Sequence, residues 1–101
     1  MIIYNITTQV SWKIHDNWLE WMRKIKIPRM ISTGIFSHHR LVKVLEIDDE
    51  DGPTYALQMF VNPARSFLDY KEKHLGLMEN LERELWGAEI YSFSSLMEVI
   101  N

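Results

Sequence analysis

The chain has 101 residues, a length typical of one domain, and 47% of them are apolar, which is enough for a modest core. Lys and Arg number 11 against 14 Asp and Glu, and this net charge of −3 argues against a nucleic-acid binder that is driven by electrostatics. Because the chain has no cysteine, disulfides, thiolate metal sites and a cysteine nucleophile are excluded.

The first half of the chain predicts a strand, a helix and a proline-marked interruption. Alternating apolar residues predict the first strand over residues 2–10, and Ser11 is a predicted N-cap for the helix that follows. The apolar stripe of this helix recurs at helical spacing, at Ile14, Trp18, Trp21 and Ile25. We expect Pro28 to end or kink the helix, and Gly34 to close one further turn over residues 28–33.

Two strands are predicted next, over residues 35–47 and 54–61, on either side of an acidic turn over residues 48–53. The second strand presents Leu41, Leu45 and Ile47 on one face and Phe36, Val42 and Val44 on the other. The third presents Tyr55, Leu57, Met59 and Val61 on one face and Ala56 and Phe60 on the other. Neither strand alternates cleanly between apolar and polar residues.

A second helix and a last strand complete the pattern. Asn62 and Pro63 predict an N-cap followed by proline at the first helical position, and Gly87 is the predicted C-cap. Gly76 predicts a kink or break, because glycine in a helix interior costs on the order of 1 kcal/mol. The last strand is predicted over residues 89–100, with a core face formed by Tyr91, Phe93, Met97 and Val99.

The order strand–helix–strand–strand–helix–strand is the ferredoxin-like βαββαβ plan of the α+β class. It implies a four-stranded antiparallel sheet with two helices on one face, in a single domain over residues 1–101. Two helices cover only one face, yet the second and third strands are apolar on both. We therefore expect a homodimer in which the open sheet face packs on a second copy, as in a dimeric α+β barrel. A monomeric mass at micromolar concentration would contradict this.

Short motifs across the chain carry a family resemblance. They are Ile2-Ile3-Tyr4-Asn5-Ile6-Thr7, His15-x-x-Trp18-Leu19-x-Trp21-Met22, Ile27-Pro28, Thr33-Gly34-x-Phe36 and Thr54-Tyr55. Together they resemble a family of uncharacterised bacterial domains of unknown function, which is similar to the dimeric α+β barrel, antibiotic-monooxygenase-like group. The resemblance implies fold and dimerisation and no activity. Lys26 departs from the pattern, which often has His there, and Ser94 stands where Arg often follows Phe93.

Members of that wider group that degrade haem use an Asn on the first strand, a Trp near the end of the third strand and a His on the second helix. Asn5 and His74 stand at similar positions in this chain, and Phe60 stands in place of the Trp. The set is incomplete, and we expect no cofactor.

Aromatic and histidine side chains form the candidate pocket. Trp18 and Tyr55 are placed to line a space between helix and sheet, although filling the core is the commoner role of such rings. His15 or His74 would transfer a proton near neutral pH, and Asn5 would help to orient a substrate. The candidate pocket is thus Asn5, His15, Trp18, Tyr55 and His74, with no catalytic residue assigned.

Three other clusters of polar residues could in principle bind an ion. His38 and His39 point to opposite faces of a strand and cannot hold one ion unless a bulge intervenes, and the acidic run over residues 48–51 lacks the spacing of a calcium loop. We expect no metal site. The cations at the end of the first helix, Arg23, Lys24, Lys26 and Arg29, complement the helix dipole, with an anionic ligand or partner as the alternative.

Three functions remain open. The leading one is a cytoplasmic homodimer that binds a small apolar or aromatic molecule, or another protein, without turnover. The second is a cofactor-independent oxygenase or isomerase. The third is a structural dimerisation module, which predicts no cavity of the ~300 Å³ typical of ligand sites. The chain opens with no basic, apolar leader and has no stretch of ~18 apolar residues, so we expect no membrane contact.

Overall fold

The computed structural model describes all of residues 1–101 and contains one antiparallel sheet. Its strands are β1 (Ile2–Val10), β2 (Phe36–Lys43), β3 (Thr54–Val61) and β4 (Ile90–Glu98). They lie in the order β2-β3-β1-β4, so β2 and β4 form the two edges. With helices after β1 and after β3, this is the ferredoxin-like βαββαβ topology that the sequence predicts.

Two helices, each interrupted by a π turn, connect the strands. The first helix consists of α1 (His15–Trp21), a π turn (Met22–Lys26) and α2 (Ile27–Ser32), and the second consists of α3 (Phe67–Tyr70), a π turn (Lys71–Leu75) and α4 (Gly76–Trp86). Single 3₁₀ turns precede α1 (Trp12–Ile14) and follow α4 (Gly87–Glu89). No helix is both long and apolar enough to span a bilayer.

The two π turns lie next to Pro28 and Gly76, the two positions at which the sequence predicts a kink or break in a helix. The first helix continues beyond Pro28 to Ser32, because the wider π turn before it relieves the clash between the proline ring and the preceding carbonyls. The second π turn ends directly before Gly76, where an interruption is predicted. Gly34, at a φ of 77°, closes the first helix as predicted, and its N–H donates to the carbonyl of Ile31 at 3.0 Å.

The predicted start of the second helix is wrong. The Asn62 side chain instead accepts a hydrogen bond from the N–H of Ala64 at 2.9 Å, which holds a local turn. The helix begins at Phe67, and Ser66 is its N-cap, with its hydroxyl accepting from the N–H of Leu68 at 3.2 Å. The hydrogen bond that Asn62 accepts therefore favours a turn over the helix start that Pro63 predicts.

The core lies between the sheet and the two helices. Thirteen buried apolar residues form one cluster, to which three strands and both helices contribute. From β1, β3 and the start of β2 come Tyr4, Ile6, Val10, Leu57, Met59, Val61 and Phe36; from the helices come Trp18, Met22, Ile27, Met30 and Tyr70, with Ile35 before β2. The helices thus cover one face of the sheet.

Two strand predictions need correction. β2 ends at Lys43 rather than at 47, and Leu45 and Ile47 lie exposed in the connection to β3. A bulge between Phe36 and His38 shifts the register, so Phe36 enters the core while Val42 lies on the open face.

The predicted core face of β4 is also wrong, since Tyr91, Phe93, Met97 and Val99 are all exposed. In the register with β1, Thr8 pairs with Ser92 and Ile6 with Ser94, and these positions face the helices. The apolar side of β4 therefore belongs to the open face of the sheet.

Candidate functional site

A cavity of about 320 Å³ lies between α4 and the β1–β4 half of the sheet; we call it the helix–β4 cavity. It exists because neither α4 nor β4 contributes a buried residue, so the second helix does not close onto the edge strand. Small side chains deepen it, since β4 presents Ser92 and Ser94 where larger residues would fill the gap.

A buried ion pair lines the helix–β4 cavity. Lys26, the last residue of the first π turn, is 3% exposed at its side chain and donates from Nζ to Oε1 of Glu82 on α4 at 2.5 Å. An ammonium has three donors, and Glu82 is the one protein group that accepts from it. The other two donors have no protein acceptor, and Lys26 is among the residues that line the cavity.

Hydroxyl groups of Tyr4, Tyr70, Ser92 and Ser94 line the same cavity as this ammonium. Burial raises the pKa of Tyr4, an effect that the Ser94 hydroxyl partly offsets and that the nearby carboxylates of Glu79 and Glu82 reinforce. Burial also raises the pKa of Tyr70, and Tyr4 and the same two carboxylates add to the shift. Both phenols therefore remain protonated at neutral pH.

Half of the 14 residues that line the cavity are apolar, and Glu79 and Arg83 add charged groups to the wall. Ile6 from β1, Leu75 and Met78 from the second helix, and Ile90 at the start of β4 contribute to it. No histidine lines the cavity. Apolar side chains beside a buried ammonium and hydroxyl groups suit a molecule that has an apolar body and one hydrogen-bond acceptor.

Three of the five residues proposed from the sequence come together elsewhere. His15 Nε2 lies 2.7 Å from the Tyr55 hydroxyl and its Nδ1 lies 2.9 Å from Oδ1 of Asp16, while the rings of Trp18 and Tyr55 are 5.5 Å apart. Trp18 is 1% exposed. These side chains fill the space beneath the first helix. Burial raises the pKa of Tyr55. The charge of Arg23 opposes this shift, and the charge of Asp16 adds to it.

The other two proposed residues lie apart from that cluster and from each other. Asn5 is on the open face, where its Nδ2 donates to the Thr7 hydroxyl at 3.1 Å. His74 is on the second helix, with its ring 5.8 Å from that of Tyr70. Because Asn5 and His74 occupy opposite sides of the sheet, they do not form the haem-type set that the resemblance suggests.

The sequence carried a partial signal for the residues that line the helix–β4 cavity. Lys26 and Ser94 are the two positions at which the chain departs from the pattern it resembles, and both line this cavity. The role of Glu82 could not be predicted from the sequence, because it is one of several charged residues on what looks like an exposed helix face. Its partner Lys26 is 56 residues away in the chain.

Comparisons with known proteins add a family and no activity. Residues 1–100 match the family described as Domain of unknown function (DUF4286). No curated protein and no solved structure matches the chain.

Proposed function

We propose, for a chain that belongs to the DUF4286 domain family, a homodimer that binds a small molecule in the helix–β4 cavity without turning it over. The ligand has an apolar or aromatic body and one hydrogen-bond acceptor, such as a carboxylate or carbonyl. The buried Lys26 ammonium beside this cavity is the observation that carries the proposal.

The energetics of the buried pair support a role in binding. Removing an ammonium and a carboxylate from water costs several kcal/mol for each ion, and the attraction between them often does no more than offset that cost. An apolar pair would fill the same space at no such cost. The Lys26–Glu82 pair therefore adds little to stability, whereas its unused donors favour an acceptor in the cavity.

The size and lining of the cavity also support ligand binding over a purely structural role. Ligand sites typically measure about 300–1,000 Å³ and combine apolar walls with a few convergent polar groups. A volume of about 320 Å³ lies at the small end of that range, which suits a molecule of modest size.

The arrangement of proton-transfer groups weighs against an oxygenase or isomerase. His15 is bonded to Tyr55 and Asp16 beneath the first helix, and His74 lies on the other side of Tyr70. Neither histidine lines the helix–β4 cavity. A bound substrate there would lack the base on which that function depends.

The open face of the sheet supports the dimer. On β4, Tyr91, Phe93 and Met97 are exposed on this face, and none of residues 91–97 is charged. Phe60 of β3 lies on the same face but is only 8% exposed, because the His38 ring covers it at a centroid distance of 4.2 Å. A second copy packed on this face would bury the patch and form the dimeric α+β barrel.

Fluorescence titration tests the ligand site. The probes are anilinonaphthalene sulfonate, an aromatic molecule with an anionic acceptor, and uncharged anilinonaphthalene. We expect the sulfonate to bind the folded protein more tightly than its neutral analogue. Lys26→Met should weaken the sulfonate about tenfold, which corresponds to the loss of one charge-assisted hydrogen bond.

Two further variants keep that test clear. Lys24→Met makes the same change at an exposed position of the same helix and should leave binding unchanged. Ser94→Ala alters the cavity without removing a charge and should weaken the sulfonate by a smaller factor. If the native protein binds neither probe, or if Lys26→Met binds the sulfonate as the native chain does, the proposed ligand site is wrong.

Sedimentation at micromolar concentration tests the dimer. Tyr91→Lys places a charge on the open face and should give a monomer, whereas Leu77→Lys on α4 should remain dimeric. The two native side chains are matched in exposure, at 71% and 73%. A monomeric native protein would contradict the dimer.

A further inference from the structure

Positive charge is concentrated in one segment of an acidic chain. Residues 21–45 contain six of the 11 Lys and Arg and none of the 14 Asp and Glu, together with two of the four His. The segment runs from the end of α1 through β2, so it covers one edge of the molecule. We call this surface the basic edge.

Most of these cations are not neutralised. Lys24 pairs with Glu20 and Lys26 with Glu82. Four more, Arg23, Arg29, Arg40 and Lys43, are exposed and take part in no salt bridge. The helix dipole accounts for cations in the last turn of the first helix, but β2 has no dipole for Arg40 and Lys43 to complement.

A groove runs beside these charges, between the first helix and β2. It has a volume of about 440 Å³ and is lined by Arg23, Ile27, Pro28, Ile31, Ser32 and His39. Its floor is apolar, its polar rim is basic, and no acidic residue lines it.

The backbone of β2 is also free on this side. β2 is the outermost strand of the sheet, and its eight residues pair only with β3. A free edge of this length offers a row of N–H and C=O groups to one more strand. His39 and Lys43 share the helix side of β2, while His38 and Arg40 share the open side.

We propose that the basic edge docks an extended acidic segment of a partner protein, which adds as a fifth strand beside β2. One apolar side chain of that segment enters the groove above Ile27 and Ile31, and acidic side chains meet Arg23 and Lys43. The backbone bonds supply affinity, and the charges supply selectivity.

The charges select this occupant over the others. A second copy would bring the same cations against this edge, and like charges repel. A nucleic acid would make no use of the free backbone, and the rest of the chain, with 14 acidic residues, would repel it. An acidic strand satisfies the backbone, the apolar floor and the cations together.

The test uses the full chain and a labelled ten-residue peptide, followed by fluorescence anisotropy; one face of the peptide carries a central Val flanked by Glu, and the other face carries Thr at every alternate position. We expect binding that weakens about tenfold or more from roughly 50 to 500 mM salt, because the contacts are exposed charges. The same peptide with Lys in place of each Glu should not bind. The same acidic peptide methylated on alternate backbone nitrogens should lose binding, since it cannot complete a strand ladder.

Matched charge reversals locate the site. The double variant Arg23→Glu/Lys43→Glu should lose at least tenfold in affinity, whereas Lys71→Glu/Lys73→Glu, an equal change on the second helix, should not. Equal losses in the two variants, undiminished binding of the methylated peptide, or no binding of the acidic peptide would each overturn the proposal. Tighter binding of a single-stranded oligonucleotide than of the peptide would also overturn it.

Discussion

The two helices cover the same face of one sheet, yet they pack on it differently. The first helix buries Trp18, Met22, Ile27 and Met30, while in the second helix only Tyr70 is buried and α4 has no buried residue. Each helix follows a strand and contains one π turn. The comparison shows that the first helix buries its apolar side chains against the sheet, and that a space remains between α4 and the sheet.

The side chains explain the difference. Beneath the first helix, the large rings of Trp18 and Tyr55 pack with their centroids 5.5 Å apart, and Trp18 is fully buried. Beneath α4, Ser92 and Ser94 face Glu79 and Glu82, and charged groups do not close onto small polar ones as apolar residues do. The interior beneath the first helix therefore stabilises the fold, and the space beneath α4 is free to bind a ligand.

The largest expected effect comes from the interior beneath the first helix. Trp18→Ala should lower the free energy of unfolding by about 3–5 kcal/mol, because it removes a fully buried ring. Met78→Ala, on the wall of the helix–β4 cavity, should cost about 1 kcal/mol or less, because that side chain already borders empty space. Urea denaturation measures both, and equal losses would contradict this difference between the two helices.

The buried ion pair joins the two helices and should come next. Lys26→Met leaves Glu82 nearly buried, at 13% side-chain exposure, without its partner, and should cost about 3 kcal/mol. Lys26→Met/Glu82→Leu should recover most of that loss, because no unpaired charge remains. The double-mutant cycle in urea measures the coupling, and a double variant as unstable as the single one would contradict it.

The free energy of unfolding should also fall at alkaline pH, chiefly because Tyr70 on the second helix loses its proton. The folded-state pKa of Tyr70 is raised above its ordinary value of 10.0, so the unfolded chain releases this proton first. The stabilisation is complete below about pH 10 and is lost as pH rises towards the folded-state pKa, at up to about 1.4 kcal/mol per pH unit. Tyr70→Phe should flatten this slope more than Tyr55→Phe does.

The smallest expected effect is a gain. Gly76 has helical angles, with φ −61° and ψ −40°, and an added Cβ would meet nothing within 4 Å. Gly76→Ala should raise the free energy of unfolding by about 0.5–1 kcal/mol, since alanine has the higher helix propensity. Thermal denaturation measures it, and a loss of stability would show that the second helix needs the freedom of glycine at this point.

The sequence predicted the topology well because local patterns determine it. β1 and β3 have the predicted bounds, and the turn between β2 and β3 and the closing glycines Gly34 and Gly87 stand where expected. Alternation and turn residues act over a few positions, so they can be interpreted from one chain.

The candidate site was harder to predict, because it depends on contacts between distant residues. The bulge after Phe36 reversed one side chain, and the apolar side of β4 was assigned to the core when it lies on the open face. Periodicity finds the two faces of a strand but does not say which face the helices cover. Neither the alternation of apolar residues nor the turn residues indicate that Lys26 pairs with Glu82.

The first π turn sets the direction in which Lys26 points. A π turn holds one residue more than an α-helical turn, and each helical residue advances the side chain by about 100°. Deleting one residue from Met22–Lys26 would therefore rotate α1 relative to α2 by about that angle and would separate the Trp18 stripe from the Lys26 side chain. Among relatives of this chain, those with a shorter segment should lose this charge from the cavity even where they have lysine at position 26.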